Sequence, residues 1–445
     1  MIDEKIIDML EQKKYLELKK KLSEVNPVDI SEILEKLDPQ RTLLLFRLLS
    51  KNDAVEVFAN ISNEKKLELT NSFTEKEIID VINELMRDDM VDMLEEMPAN
   101  VVNKILKNTS EKERKEINTL LNYPEYSAGS LMTTEYIELS KNITVSEALE
   151  IIKETGINKE TIYTCYITDD SKKLIGFISL RKIVTSPSSE ILENLMEEEV
   201  ISVNTHDDQE FVAGVFRKYG FVVLPVVDNE NRMCGIITVD DIVDVIDQEA
   251  TEDFQRMAAM APNEDEYLNT SVFELAKHRI TWLLVLMISA TFTGKIMQRY
   301  SDIIAQVIAL NMFIPMIMDS GGNAGSQSST LVIRGLATGD ISTRDWIKVF
   351  MKELKVSLGV GFVMAIVCFM KVIFIDKIHL NIAILVSITL MFTIMLAKIV
   401  GGILPIIAKK LKLDPAIMAG PLITTIVDAM GLLLYFGLAK VILGI

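Results

Sequence analysis

The chain is poor in the residues that carry soluble enzyme chemistry. It has three cysteines and three histidines in 445 residues. Cys165, Cys234 and Cys368 have no metal-type spacing, which argues against a zinc module and fits buried thiols in a reducing compartment. His206, His278 and His379 stand apart from one another. No nucleophile–base pair, Walker loop or zinc motif is present, so the sequence reads against an enzyme. Basic charge is scarce as well: 46 Lys and Arg face 64 Asp and Glu, a net charge of −18. That balance argues against nucleic-acid binding, which needs basic patches. The opening Met1-Ile-Asp-Glu-Lys is charged and no signal-type apolar core follows it, so the soluble half is expected in the cytoplasm.

What is present is unevenly placed. From Ser271 onward there are 9 acidic and 16 basic residues, leaving 55 acids and 30 bases before it. An acidic half is thus joined to a basic, apolar half. The second half reads as five membrane spans of the required roughly 20 apolar residues. They are about 280–297, 303–333, 357–375, 382–408 and 415–443. Arg334, Arg344, Lys348, Lys352 and Lys355 follow the second span, and Lys409, Lys410 and Lys412 follow the fourth. Positive-inside placement puts these loops on the side of the N-terminus and the C-terminus outside. Lys295, Arg299, Lys371 and Lys377 on the other side weaken this bias without reversing it.

The second span holds Pro315, Asp319, Gly321, Gly322, Asn323 and Gln327. Close helix packing accounts for the glycines. It does not account for Asp319, Asn323 and Gln327, since a charge at membrane depth costs at least roughly 2.5 kcal/mol. These residues are expected to line a hydrophilic pathway. In the last span Gly420, Pro421, Thr424, Thr425 and Asp428 recur at spacings of three and four, so they share one helix face. Two intramembrane carboxylates with hydroxyls nearby, and no His or Cys cluster, point to a hard cation with oxygen ligands. The alternative for Asp428 is an ion pair inside the bundle, with Lys398 as the nearest candidate.

The acidic half divides in two. Up to about residue 128 it reads as a stack of short helices: 28–37, 41–49, 52–61, 64–72, 74–86, 89–97, 100–107 and 110–121. Residues 131–250 hold two similar blocks, each helix, strand, strand, helix. The first runs through 145–155, 162–168, 174–179 and 180–184, and the second through 209–219, 222–227, 233–238 and 239–246. A linker, 251–269, begins with a stretch that can be helical and ends in Pro262-Asn-Glu-Asp-Glu266.

The paired blocks resemble tandem CBS domains, a family that often binds adenine nucleotides. The resemblance implies a ribose contact from Thr238 and Asp241, and hence ATP as a ligand. The first block has Ser179 but Lys182 where the pattern asks for Asp. A pair that only transmits conformation is the other reading. With the stretches 123–133, 315–327 and 414–428, nearly the whole chain resembles the MgtE family of magnesium channels. The implied fold class is a multidomain membrane protein: an all-α helical array over 1–128 and an α/β tandem CBS pair over 129–250 (about 131–190 and 196–250). A linker helix over 251–270 and a five-helix transmembrane domain over 271–445 complete it. The resemblance implies a homodimer in the membrane with one shared pore, Asp428 as the Mg2+ ligand, and the segment from Pro315 as pore lining.

Control is read from the acids. Asp240, Asp241, Asp244, Asp247, Glu249, Glu252 and Asp253 crowd one stretch, where like charges at helical spacing repel. Mg2+ bridging them to Asp88, Asp89 and Asp92, or to Asp208 and Glu210, would close the assembly, with Asp414 a further acid at the start of the last span. A family acid aligns with Gly220 here, so one such site is expected to be weaker. Two other functions fit parts of this pattern: an ion-coupled secondary transporter of divalent cations such as Co2+, Mn2+ and Ni2+, and a nucleotide-sensing membrane adaptor.

Overall fold

The computed structural model describes residues 2–444 except 75–76, 78–80, 82–84, 86, 96, 99–100, 103–104, 107–108, 110, 264–266 and 269. The side chains of residues 2–4, 63, 87–88, 92, 95 and 112–113 also lie outside the described set. The chain folds as two compact units, Met1–Val245 and Ile246–Ile445.

The first unit opens with short helices whose starts are written in the sequence. Asn26, Asp38, Ser50 and Ser62 each accept a backbone N–H at a helix N-terminus, and Pro27 and Pro39 occupy first-turn positions, where the missing N–H costs nothing. Among the described residues the helices are Ile2–Glu11, Tyr15–Leu22, Pro27–Glu35, Pro39–Phe46, Lys51–Asn60, Asn63–Ser72, Arg87–Glu95 and Glu111–Leu120. The helices expected over 74–86 and 100–107 fall largely outside the described residues. Phe46, Phe58 and Phe73 cluster with ring centroids 5.2–6.2 Å apart and tie successive helices together.

Two three-stranded sheets follow. One contains β1 (Ile137–Ser140), β2 (Thr164–Thr168) and β3 (Leu174–Ser179), and the other β4 (Val203–Asn204), β5 (Val223–Val227) and β6 (Met233–Thr238). In each, a short strand runs parallel to the first strand of an antiparallel hairpin. The two hairpins carry a register shift at the same place, Ile167/Thr168 and Val226/Val227. The sequence anticipated both hairpins and missed β1 and β4, which at four and two residues are too short to show an alternating pattern. The repeat sets Ser179 and Thr238 at equivalent hairpin ends, each leading into a helix.

That second helix, α1, runs unbroken from Val239 to Met257. The sequence suggested a helix ending at Ile246 and a separate one in the linker. No Gly or Pro interrupts 239–257, and the helix continues.

The second unit is helical: α2 (Val272–Arg299), α3 (Ile314–Ala337), α4 (Trp346–Met370), α5 (Leu380–Lys410) and α6 (Gly420–Leu443). Among the described residues, four helical segments are long and apolar enough to cross a membrane: Val272–Arg299, Thr343–Ile375, Leu380–Lys410 and Pro415–Leu443. This corrects the count of five. The expected second span divides into a short helix, Ser301–Gln306, a 3-10 segment, Ile308–Phe313, and α3. Its polar stretch from Asp319 to Thr330 keeps α3 below that apolar limit. Its core is packed all the same, with Ile314, Ile317, Ala324, Leu390, Ile394, Ile423, Val427 and Leu432 in one buried cluster.

Candidate cation path and acidic cluster

The two faces of α3 differ in kind. Gly321, Gly322 and Gly325 are buried against α5 and α6. A methyl group at Gly322 would stand 2.7 Å from Thr424 Cγ2, and one at Gly325 2.6 Å from Ile423 Cγ2. Close backbone approach therefore requires glycine at both. These neighbours place Gly321 and Gly322, expected also as pore lining, in helix contacts. The opposite face carries Pro315, Asp319, Asn323 and Gln327 at intervals of four, all exposed.

On α6, Gly420, Pro421, Thr424, Thr425 and Asp428 are all half-buried. The hydroxyls of Thr424 and Thr425 donate to the carbonyls of Gly420 (2.7 Å) and Pro421 (3.0 Å), which leaves their lone pairs open. Asp428 Oδ1 is buried and accepts no hydrogen bond among the described residues. Among the described residues no Lys, Arg or His side chain forms an ion pair or hydrogen bond with Asp428. Lys398 Nζ instead faces Gln327 Oε1 at 3.4 Å and Ser328 Oγ at 3.5 Å. The charged group that acts on Asp428 is Asp319. Two carboxylates with no paired base among the described residues leave the site short of positive charge.

The start of α6 is held from α1. Arg256 pairs with both Asp414 and Glu252. Asp414 Oδ1 also accepts the Ala416 N–H at 2.7 Å. Met257 packs on Ile333, Ala416 and Ala419. Gly420, at φ +25°, has the Met257 carbonyl 2.9 Å from where a Cβ would lie, so no side chain fits there. Two acids read from the sequence as Mg2+ ligands, Asp414 and Glu252, thus share a guanidinium.

The first unit gathers acids of its own. Burial, with Thr238 opposing and Asp240 and Asp89 adding, pushes the Asp241 carboxyl up to about 6. Burial and then Asp240, Asp241, Asp89 and Glu135 push Glu160 up to about 7. Asp89 is raised by burial, against Lys66 and with Asp240. The sequence named Asp89, Asp240 and Asp241. It missed Glu160 and Glu135, which sit in segments flanking β1 and β2 and carry no spacing signal. Asp88 and Asp92, named with Asp89, have side chains outside the described residues. Asp208 caps the helix Gln209–Tyr219 by accepting the Glu210 N–H at 2.9 Å, and Gly220 ends that helix in a left-handed turn. Asp244 and Asp247 are exposed, while Glu249 and Asp253 are half-buried in the second unit. Thr238 Oγ1 donates to Asp241 Oδ2 at 2.9 Å. Ser179, at the equivalent position, accepts the Lys182 N–H at 3.3 Å. Among the described residues no three His, Cys, Asp or Glu side chains stand close enough to hold one metal ion together. Widely set carboxylates suit an ion that keeps its water.

A helical unit with four apolar segments long enough to cross a membrane, and with carboxylates on α3 and α6, fits a membrane transporter of cations. Family models agree along the chain. The MgtE intracellular N domain matches residues 25–126, the CBS domain 128–188 and 192–248, and MgtE, described as a divalent cation transporter, 314–438. The magnesium transporter MgtE of Thermus thermophilus is 37% identical over 332 residues, 75% of this chain and 73% of that protein. Its counterpart in Bacillus subtilis is 36% identical over 337 residues, with the same coverage of 75% and 73%. A crystal structure of the cytosolic domain of the Mg2+ channel MgtE in complex with ATP superposes with TM-score 0.52 at 32% identity, covering 54% of this chain and 98% of that one. The chain belongs to the MgtE family, whose members are multi-pass membrane transporters and not enzymes.

Proposed function

We propose that the chain is a channel for Mg2+ in the cytoplasmic membrane, and that Mg2+ passes along the polar face of α3 and beside Asp428. The observation that carries this is Asp428 Oδ1, buried without a hydrogen-bond donor near a second carboxylate. Mg2+ sheds water reluctantly and is held by one or two carboxylates with several waters kept. Such a site attracts the hydrated ion without trapping it, which conduction requires. The relatives named above as magnesium transporters support Mg2+ over other divalent ions.

The face of Asp319, Asn323 and Gln327 is exposed in one chain. A second copy about a two-fold axis would cover it and double Asp428, so the channel is a homodimer. The basic loops after α3 and α5 support a cytoplasmic soluble unit. The acids around Asp241 serve as the regulatory Mg2+ site. A polyphosphate would meet Asp89, Asp240 and Glu160 there, so ATP, which the similar cytosolic domain binds, needs a cation with it to bind at Thr238 and Asp241.

Mg2+ uptake into proteoliposomes tests the reading. The parent chain takes up Mg2+, and Asp428→Ala, with unchanged elution as a folded dimer, loses uptake by at least about a hundredfold, the cost of one uncompensated pore ligand at about 2.7 kcal/mol. Equal uptake by both overturns the assignment.

A further inference from the structure

Lys398 is a cation buried to 5% exposure at mid-helix in α5. It has no use in the path described above. Its surroundings are specific. Ser328 on α3 donates its hydroxyl to Glu353 Oε2 on α4 at 2.7 Å. That turns a Ser328 lone pair towards Lys398 Nζ at 3.5 Å. A second Lys398 proton points at Gln327 Oε1, 3.4 Å away. The site is tight: a methyl group at Gly402, one turn beyond Lys398, would stand 2.9 Å from Glu353 Cγ. Three helices therefore meet on a Lys–Ser–Glu chain, with the side chain of Gln327 hung from its positive end.

The ammonium fixes which way that amide faces. It has three donors and no acceptor, so the Gln327 oxygen must turn to Lys398 and its NH2 must turn away. Gln327 is exposed on the face that holds Asp319 and Asn323. An NH2 presents hydrogens, as does the water shell of a cation, and a fixed positive charge stands behind it. Gln327 lies eight residues beyond Asp319, about 12 Å along α3 at 1.5 Å per residue, towards the end that carries Arg334. The face thus changes from attracting cations to releasing them.

We propose that Lys398 is a positioning residue for release: by holding the Gln327 carboxamide oxygen, it turns the amide hydrogens to the path and weakens the hold on a divalent cation beyond Asp428. This rests on the reading of the α3 face as the path. Glu353 sets the strength of the effect by balancing the Lys398 charge through Ser328.

Initial rates of Mg2+ uptake into proteoliposomes, measured against external Mg2+, test it. In Lys398→Met the half-saturating Mg2+ concentration and the maximal rate are both expected to fall, each by several-fold, because the ion is held longer. Lys398→Arg restores both to near the parent. Glu353→Gln leaves the Lys398 charge unbalanced and shifts the half-saturating concentration the opposite way, upward. A Lys398→Met chain that loses maximal rate with an unmoved half-saturating concentration has only lost structure, and the proposal is overturned. Should Lys398→Met fail to fold, Glu353→Gln decides: an unchanged or lowered half-saturating concentration overturns it. A parent chain whose uptake does not depend on Asp428 defeats the path itself, a different outcome from a working path that ignores Lys398.

Discussion

The two units solve opposite problems with the same side chain. In the membrane unit, carboxylates are few, and the pair Asp428 and Asp319 lies on helices packed through glycine. In the soluble unit acids are plentiful, and Asp89, Asp240, Asp241, Glu160 and Glu135 act on one another across separate elements. A carboxylate fixed in a rigid wall can only pass or hold an ion. Carboxylates on separate helices and loops can be drawn together by one. On the reading proposed above, transport belongs to the first set, on helices packed through glycine, and control to the second, where mutual repulsion opposes closure.

The largest effect is expected from breaking the rigid wall. Gly325→Leu would drive side-chain atoms into Ile423 and the Ala397 carbonyl, the nearest neighbours of its Cβ position. It is expected to cost about 3 kcal/mol or more, at the upper end of overpacking effects. Thermal unfolding of the purified chain in detergent checks this. Asn323→Leu, on the exposed face two residues away, should leave the unfolding temperature within a degree or two. If the two substitutions destabilise equally, the two faces of α3 are not distinct.

A smaller effect, on the soluble side, follows pH. Asp241 at about 6 and Glu160 at about 7 titrate well above the ordinary carboxylate range near 4. Between about pH 4 and 7 the folded unit therefore holds protons that the unfolded chain has released, and without divalent ions its stability falls as pH rises through that window. Mg2+ competes with those protons. Protection of Val239–Val245 from hydrogen exchange by Mg2+ should grow several-fold between pH 5 and 8, with protons released on binding. Protection that is the same at both ends of the range would show that these acids do not bind Mg2+.

Much of this was legible in the residues. The Gly-rich stretch of α3 and the acid in α6 announced themselves, because neither suits a lipid-facing helix. The helix starts at Asn26-Pro27 and Asp38-Pro39 were equally plain. Other features depend on tertiary neighbours. Residue type alone suggested packing for the glycines of α3 and a polar role for Asn323 and Gln327, but which neighbours each glycine meets needs α5 and α6 in place. Lys398 was named only as the candidate partner in the alternative reading of Asp428, and it faces Gln327 and Ser328 instead. Arg256 was not singled out, since a lone arginine near a linker carries no spacing signal, yet it pairs with two acids assigned to metal. Glu160 was missed for the same reason.

The central claim is that passage and control use separate acids, with α1 continuous between the acidic cluster at Asp240 and Arg256 at its far end. The most direct test is Mg2+ uptake as Mg2+ inside the proteoliposome is raised through the millimolar range, with the soluble unit facing inward. Parent uptake should fall by at least about tenfold as internal Mg2+ closes the channel. A chain carrying Asp89→Asn, Asp240→Asn and Asp241→Asn together should start at the parent rate and stay nearly flat. If instead both fall in parallel, the acidic cluster is not the brake, and control by Mg2+ must reside in the membrane unit.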